Sequence, residues 1–383
     1  AVGRPTPTPP GCTNQVASAP VLPGPVPDVV GVPGHPFAVA VTPGGQYTIV
    51  SLVAARPGSA VPDLAVLAMT GGAPTLVRTL SLPGGQGAAG MAISHDGRYL
   101  VVTLFGRRAS SGGGAVPGRA AVLSLPMLLA GGANPVLGML DDHGVGPIEA
   151  AFSRYDRYVF VSDEYSPAVS VFDLETALAR GFGAPGVSVG KIALDRATVG
   201  LALSPDGRRL YATSEVASPG DTQHGTLSVI DVNKAEQQPA ASVLAQVAAG
   251  CQPVRVALSA DGSVAWVTAR GSDALLAFDT TQILARPQAA LRAVVPVGAQ
   301  PVGLLLTSDG RSALTANSAR FTDPNSPQTV SVVDTVAALA GRPALVGTIP
   351  AGAFPRQFDA DSATRQVVLT NFGSNTVEAF PSP

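Results

Sequence analysis

Residues 204–213 read SPDGRRLYAT, and the phrase returns in altered form at 94–103 (SHDGRYLVVT), 259–268 (SADGSVAWVT) and 307–316 (TSDGRSALTA). A catalytic motif is usually written once; a phrase repeated at a steady period describes architecture. With the opening Ser or Thr as anchor, the repeat falls at Thr42, Ser94, Ser153, Ser204, Ser259 and Thr307, and a degenerate seventh falls at Asp361. The spacings are 52, 59, 51, 55, 48 and 54 residues.

Every unit has the same grammar. An apolar run ends at the anchor (AVAVT, MAIS, AAFS, LALS, VALS, LLLT). A tight turn follows, with Asp-Gly in the four quoted phrases and Gly44-Gly45 in the first unit. These pairs supply the positive φ angles that a hairpin matched to strand twist demands. Then come a second run (YLVVT, RLYATS), a loop of variable length, a third run (VSVFDL, LSVIDV, VSVVDT) and in most units a fourth (SVLAQVAAG, RAVVPVG). Four strands in roughly 50 residues, seven times over, predict an all-β seven-bladed β-propeller of four-stranded antiparallel blades. The last unit ends at Pro383 before a fourth strand, while an orphan strand, DVVGVPGHP at 28–36, precedes the first unit. The N-terminal strand is therefore expected to complete the last blade and remove the open edge of the ring. Two parts follow: a Pro-rich tail or strap over 1–27, and one propeller domain over 28–383.

Asp173, Asp231, Asp279 and Asp334 recur at the ends of third strands and invite a metal reading. DLETALARG, DTTQILARP and DTVAALAGRP read instead as short helices, each with its Asp as the N-cap. No histidine cluster has metal-ligand spacing, and no G-x-S-x-G, P-loop or Rossmann fingerprint appears. Neither a metal nor a cofactor is expected.

Apolar residues make up 46% of the 383, enough for a large core, and the formal net charge is −2. Without a basic stripe, nucleic acid is not an expected partner. No apolar run approaches the length of a membrane span. The start, AVGRPTPTPPGC, reads as a mature N-terminus after cleavage, which places the protein in the periplasm, outside the cell or at the cell surface. Cys12 and Cys251 are either two unrelated thiols or one disulfide; export favours the disulfide. It would tie the strap to the loop entering blade five.

The stretches LALSPDGRRLYATS, GCQPVRVALSADGSVAWVTARGSDALLAFD and PQTVSVVDT…GTIPAGAFPR resemble the YVTN-type repeats of lactonase-like seven-bladed propellers. The resemblance covers residues 198–380 well and 36–175 more weakly. It implies the propeller fold. It implies no particular activity, because members include lactonases, lactonising enzymes and surface-layer proteins, and none of their catalytic positions maps onto this chain.

In a propeller the first strand of each blade lines the central channel, and the second-to-third and fourth-to-first loops share one face. Here those loops are the variable ones, where function tends to lie. Four residues before each anchor stand Ala38, Gly90, Glu149, Gly200, Arg255, Gly303 and Gln357. Small residues suit a narrow channel; Glu149 and Arg255 break the rule, with Arg356 beside the seventh position. A buried charge needs a partner or water, so these residues form either a structural ion pair across the channel or a polar pocket at its mouth. Arg270, Asn317, Arg320 and Asn371 follow second strands at matching places and are expected to ring the same mouth. With Arg255 and Arg356 they suit a carboxylate or phosphate held by forked hydrogen bonds, the alternative being arginines solvated on polar loops. Of the four histidines only His224 is expected near the mouth, with Asp221, Glu215 and Glu164.

The chain thus reads as a module that binds a small anionic ligand or a partner protein through its loop-rich face. The alternatives are a lactonase-like hydrolase or isomerase, with arginine holding an acid and Glu149, Glu164 or His224 moving a proton, and a structural cell-surface or assembly protein.

Overall fold

The repeated phrase is a hairpin that ties itself. In the computed structural model, Ser204 Oγ donates to Asp206 Oδ1 at 2.6 Å, and that oxygen also accepts the Arg208 N–H at 3.0 Å. Ser204 Oγ in turn accepts the Arg209 N–H at 2.9 Å. Ser94–Asp96, Ser259–Asp261 and Thr307–Asp309 repeat the hydroxyl-to-carboxylate bond at 2.6–2.7 Å. Gly207 follows at φ +73°, a conformation that suits a residue without Cβ. These bonds hold the Asp261 carboxyl at about 2, the Ser259 hydroxyl being the largest cause. The phrase is written for folding.

The structure describes residues 7–12, 16–24, 26–54, 60–84, 87–106, 117–132, 134–141, 143–217, 223–321, 328–361 and 363–383. Seven four-stranded antiparallel sheets follow one another in chain order. Their inner strands are His35–Val41, Ala88–Ile93, Pro147–Phe152, Arg196–Leu203, Pro253–Leu258, Pro301–Leu306 and Pro355–Asp361, which number the blades one to seven. Asp28–Gly31 pairs antiparallel with Thr376–Pro381, matching Asp28 to Ala379 and Gly31 to Thr376, and completes blade seven as expected. The orphan strand is shorter than the 28–36 read from sequence, because His35 and Pro36 already belong to the inner strand of blade one.

Blades pack face to face through aliphatic layers. Ile49, Leu64 and Val66 of blade one share a cluster with Leu100, Val102 and Leu123 of blade two, all fully buried. Each such side chain contributes about 1.5–3 kcal/mol relative to exposure, and the layer recurs between further neighbouring blades. The recurrent aspartates are helix caps: Asp173, Asp231, Asp279 and Asp334 accept the N–H three residues on at 2.8–3.1 Å. Ser124 does the same for a helix in blade two, Leu125–Ala130.

Cys12 and Cys251 form a disulfide. The strap reaches it along the outer strands. Val21 bridges Thr348 in parallel, Thr348 donates to the Pro20 carbonyl at 2.9 Å, and Ala17 donates to the Val297 carbonyl at 2.9 Å. It therefore crosses the rims of blades six and five and ends where the fourth strand of blade four, Val243–Cys251, stops.

Candidate functional site

Every inner strand carries an irregularity at the same place, between Pro147 and Glu149 in blade three and between Pro253 and Val256 in blade five, for example. Such a bulge lets consecutive residues face one side. Two tiers of side chains therefore point into the channel. The tier five residues before each anchor is Phe37, Ala89, Ile148, Val199, Val254, Val302 and Arg356. All seven line a cavity of about 410 Å³ at the channel mouth. Six of them are apolar and the seventh is a guanidinium.

The tier four residues before each anchor holds the buried ion pair. Arg255 Nη2 lies 3.1 Å from Glu149 Oε2, with side chains only 10% and 8% exposed, and 3.4 Å from Gln357 Oε1. Gly90 and Gly200 stand between these long side chains in ring order. A Cβ on Gly90 would collide with the carbonyl oxygen of Ile148, and one on Gly200 with that of Val254. Small residues thus bring neighbouring inner strands close enough for Glu149 and Arg255 to meet. Burial pushes the Glu149 carboxyl up, and Arg255 pulls it back. Arg255 also lines the cavity, whereas Glu149 is not part of its lining.

A second ring comes from the residue eleven past each anchor: Val53, Phe105, Glu164, Glu215, Arg270, Ser318 and Phe372. All but Ser318 line the same cavity. In five blades a bond from this residue's N–H to a fourth-to-first loop carbonyl fixes the position, as in Arg270 to Gln252 at 3.0 Å and Phe372 to Phe354 at 2.8 Å. Arg270 Nη2 bonds Glu215 Oε2 at 2.9 Å. Among the described residues no carboxylate lies within ion-pair distance of Arg356 or Arg320, and no lysine, arginine or histidine lies within that distance of Glu164. Burial, then the neighbouring Glu215, pushes the Glu164 carboxyl up to about 7, against the pull of Arg356, Arg270 and Arg320.

Arg356 is the site's least satisfied group. It is 9% exposed, and its buried Nε has no hydrogen-bond partner. Its guanidinium carbon lies 3.5 Å from the centroid of Phe37, with Phe354 and Phe372 at 5.7 and 5.8 Å. Burial, then Arg255 and Arg320, disfavours its charged form. An arginine remains protonated in proteins regardless, so the unfavourable field is one that a bound anion relieves. Arg320, exposed at the rim, lies over Phe321 and Phe354.

The structure therefore gathers Glu149, Glu164, Arg255, Arg270, Arg320 and Arg356 around one mouth. It places three other residues elsewhere. Asn317 is fully buried; its amide nitrogen donates to Thr329 and Ser331 within blade six, at 3.0 and 2.9 Å. Asn371 is also fully buried, donating to Thr376 Oγ1 at 3.4 Å in blade seven. Both follow from position, since they close their second strands and point into the blade. His224 is outside the cavity, with Nε2 3.6 Å from Cys12 Sγ, because its strand pairs it with Cys251. Asp221 and residues 55–59, 107–116, 218–222 and 322–327 of the mouth loops lie outside the described residues.

The cavity also has an aromatic lining that the charged residues alone do not announce. The chain has 12 phenylalanines, and Phe37, Phe105, Phe321, Phe354 and Phe372 of them line this cavity, with Tyr165. Counting five back and eleven forward from the anchors reaches Phe37, Phe105 and Phe372, while Tyr165, Phe321 and Phe354 lie off that count.

No family model matches the chain, and no curated protein matches it. Among solved structures, a chain of Kuenenia stuttgartiensis hydrazine synthase is similar in fold, with TM-score 0.66 and 15% identity over 92% of this chain and 96% of that one. That likeness supports the propeller fold and nothing finer.

Proposed function

We propose that the protein is a binding module that takes a small organic anion into the mouth of its channel. The observation that carries this is Arg356: a nine-tenths buried guanidinium that borders an open cavity and has no acid within ion-pair distance among the described residues. Such a charge is costly unless something opposite is brought to it, and a planar fork suits a carboxylate or phosphate. Among the described residues four arginines outnumber three glutamates around it, a net positive set with every group ionised.

We place the protein among the YVTN-type propellers on the motifs quoted above, and in an oxidising compartment outside the cytoplasm on its disulfide. The test is calorimetric titration of small carboxylates and phosphates into the wild type and Arg356→Gln. Binding that vanishes in the variant, with folding retained, supports the reading; anions that bind both proteins alike remove it.

A lactonase-like hydrolase is the second reading, favoured by Glu164, whose carboxyl at about 7 is suited to moving protons near neutrality. Lactone hydrolysis that survives in Glu164→Gln would exclude Glu164 as the proton carrier.

A further inference from the structure

We infer that the anion is a monocarboxylate with an aromatic body, its carboxylate on the Arg356 fork and its ring among the phenylalanines of the channel mouth. This deepens the anion-binding reading above and rests on it.

The charge count sets the monoanion. Arg255 is matched by Glu149 and Arg270 by Glu215. Arg320 is at the exposed rim. On the buried floor this leaves one guanidinium, Arg356, flanked by apolar positions such as Ile148, Val199, Val254 and Val302. A second carboxylate on that floor would meet aliphatic side chains. A phosphate bearing two charges meets the same shortage of partners.

The walls set the body. The blade cores are mostly Ala, Val, Leu and Ile, with six phenylalanines, Phe152, Phe160, Phe172, Phe278, Phe358 and Phe380, buried among them; aromatic residues are 5% of the chain. The five that line this cavity, Phe37, Phe105, Phe321, Phe354 and Phe372, are not buried in those cores and converge on one open space instead. The rings of Phe37, Phe354, Phe321 and Phe372 are approached by guanidiniums, and Phe372 also stacks on His35 at 4.6 Å. Phe105 meets Tyr165 edge to face at 5.5 Å, and Phe372 meets Phe354 at 5.1 Å. An aromatic guest extends both pairs in the offset or edge-to-face arrangements that rings favour. The cavity, about 410 Å³, lies within the range of small-molecule sites, about 300–1,000 Å³.

The experiment is titration calorimetry at pH 6 with benzoate, cyclohexanecarboxylate, acetate and inorganic phosphate. The proteins are the wild type, Arg356→Gln, Phe105→Leu and Phe372→Leu, each with a thermal melt to establish folding. Benzoate is expected to bind about tenfold tighter than its saturated counterpart, with acetate and phosphate weaker still. Either leucine variant, whichever folds, is expected to narrow the gap between benzoate and cyclohexanecarboxylate while acetate is unchanged. Equal affinity for the saturated and aromatic acids, or phosphate as the tightest ligand, overturns the inference and leaves the anion reading intact. If none of the four anions binds the wild type, both fall together.

Discussion

The guanidinium carbon of Arg356 lies 3.5 Å from the centroid of the Phe37 ring, and no carboxylate answers it among the described residues. Stacking on an aromatic face recovers part of what burial costs a cation, about 2 kcal/mol or more when desolvated. The remainder is what a bound anion would relieve in the proposed site. Arg356→Met keeps the packing against Phe37 and removes the charge. The expected outcome is opposite movement of two observables: the melting temperature rises by a few degrees, and anion binding is lost. A variant that melts lower than the wild type would show that Arg356 is satisfied in the unliganded protein.

Glu149 and Arg255 behave differently because each is the other's partner. Glu149→Leu leaves Arg255 buried with only the neutral oxygen of Gln357 beside it, and such orphaned charges typically cost about 3–5 kcal/mol. Replacing both, Glu149→Leu with Arg255→Met, removes both desolvation terms. The double variant should recover most of that loss. Chemical denaturation of the two singles and the double forms a cycle; a double variant as unstable as the sum of its singles would show that the pair does not act as a unit.

The fold was legible because its signal is local and written seven times. Ser204–Asp206 and its copies are bonds between residues two apart, so the sequence displays them directly. The caps at Asp173, Asp231, Asp279 and Asp334 are equally local. The site was half legible. Glu149 and Arg255 declared themselves as charges at positions otherwise small. Asn317 and Asn371 occupy the right end of their strands yet face inward, a distinction set by pleat and bulge that residue type does not display. The phenylalanines come from separate blades, so their convergence appears only once the ring closes.

Under the proposed anion binding, Glu164 is expected to make affinity depend on pH. Its carboxyl is held at about 7 by burial and by Glu215. Below that value it is neutral, and the mouth carries the surplus of positive charge. Above it, a carboxylate competes for the field of Arg356, Arg270 and Arg320. A bound anion disfavours that carboxylate further, so binding takes up a proton and affinity falls as pH rises through about 7, at most tenfold per pH unit for one coupled proton. Calorimetry in buffers of different ionisation heat reads the proton uptake directly. Glu164→Gln should flatten the profile. A wild-type affinity that is constant from pH 6 to 8 would mean that Glu164 is not linked to the site.

The strap depends on its far end. The Cys12–Cys251 bond spans 239 residues of sequence, and chain-entropy arguments assign a loop of that size at most about 5 kcal/mol. Between the bond and blade seven the described residues of the strap are held by the Val21–Thr348 bridge with its flanking bonds, the bond from Ala17 to Val297, and Leu22 packed over Gly347. These cover the outer edge of blade six, which would otherwise present open strand groups to other chains. Cys12→Ser should therefore lower the melting temperature and also speed hydrogen exchange at the Thr348 amide, which donates to Pro20. The Leu314 and Val332 amides, inside the same blade, should stay slow. If Thr348 exchanges as slowly in Cys12→Ser as in the wild type, the strap is held by its backbone pairing, and the disulfide acts on the unfolded chain alone.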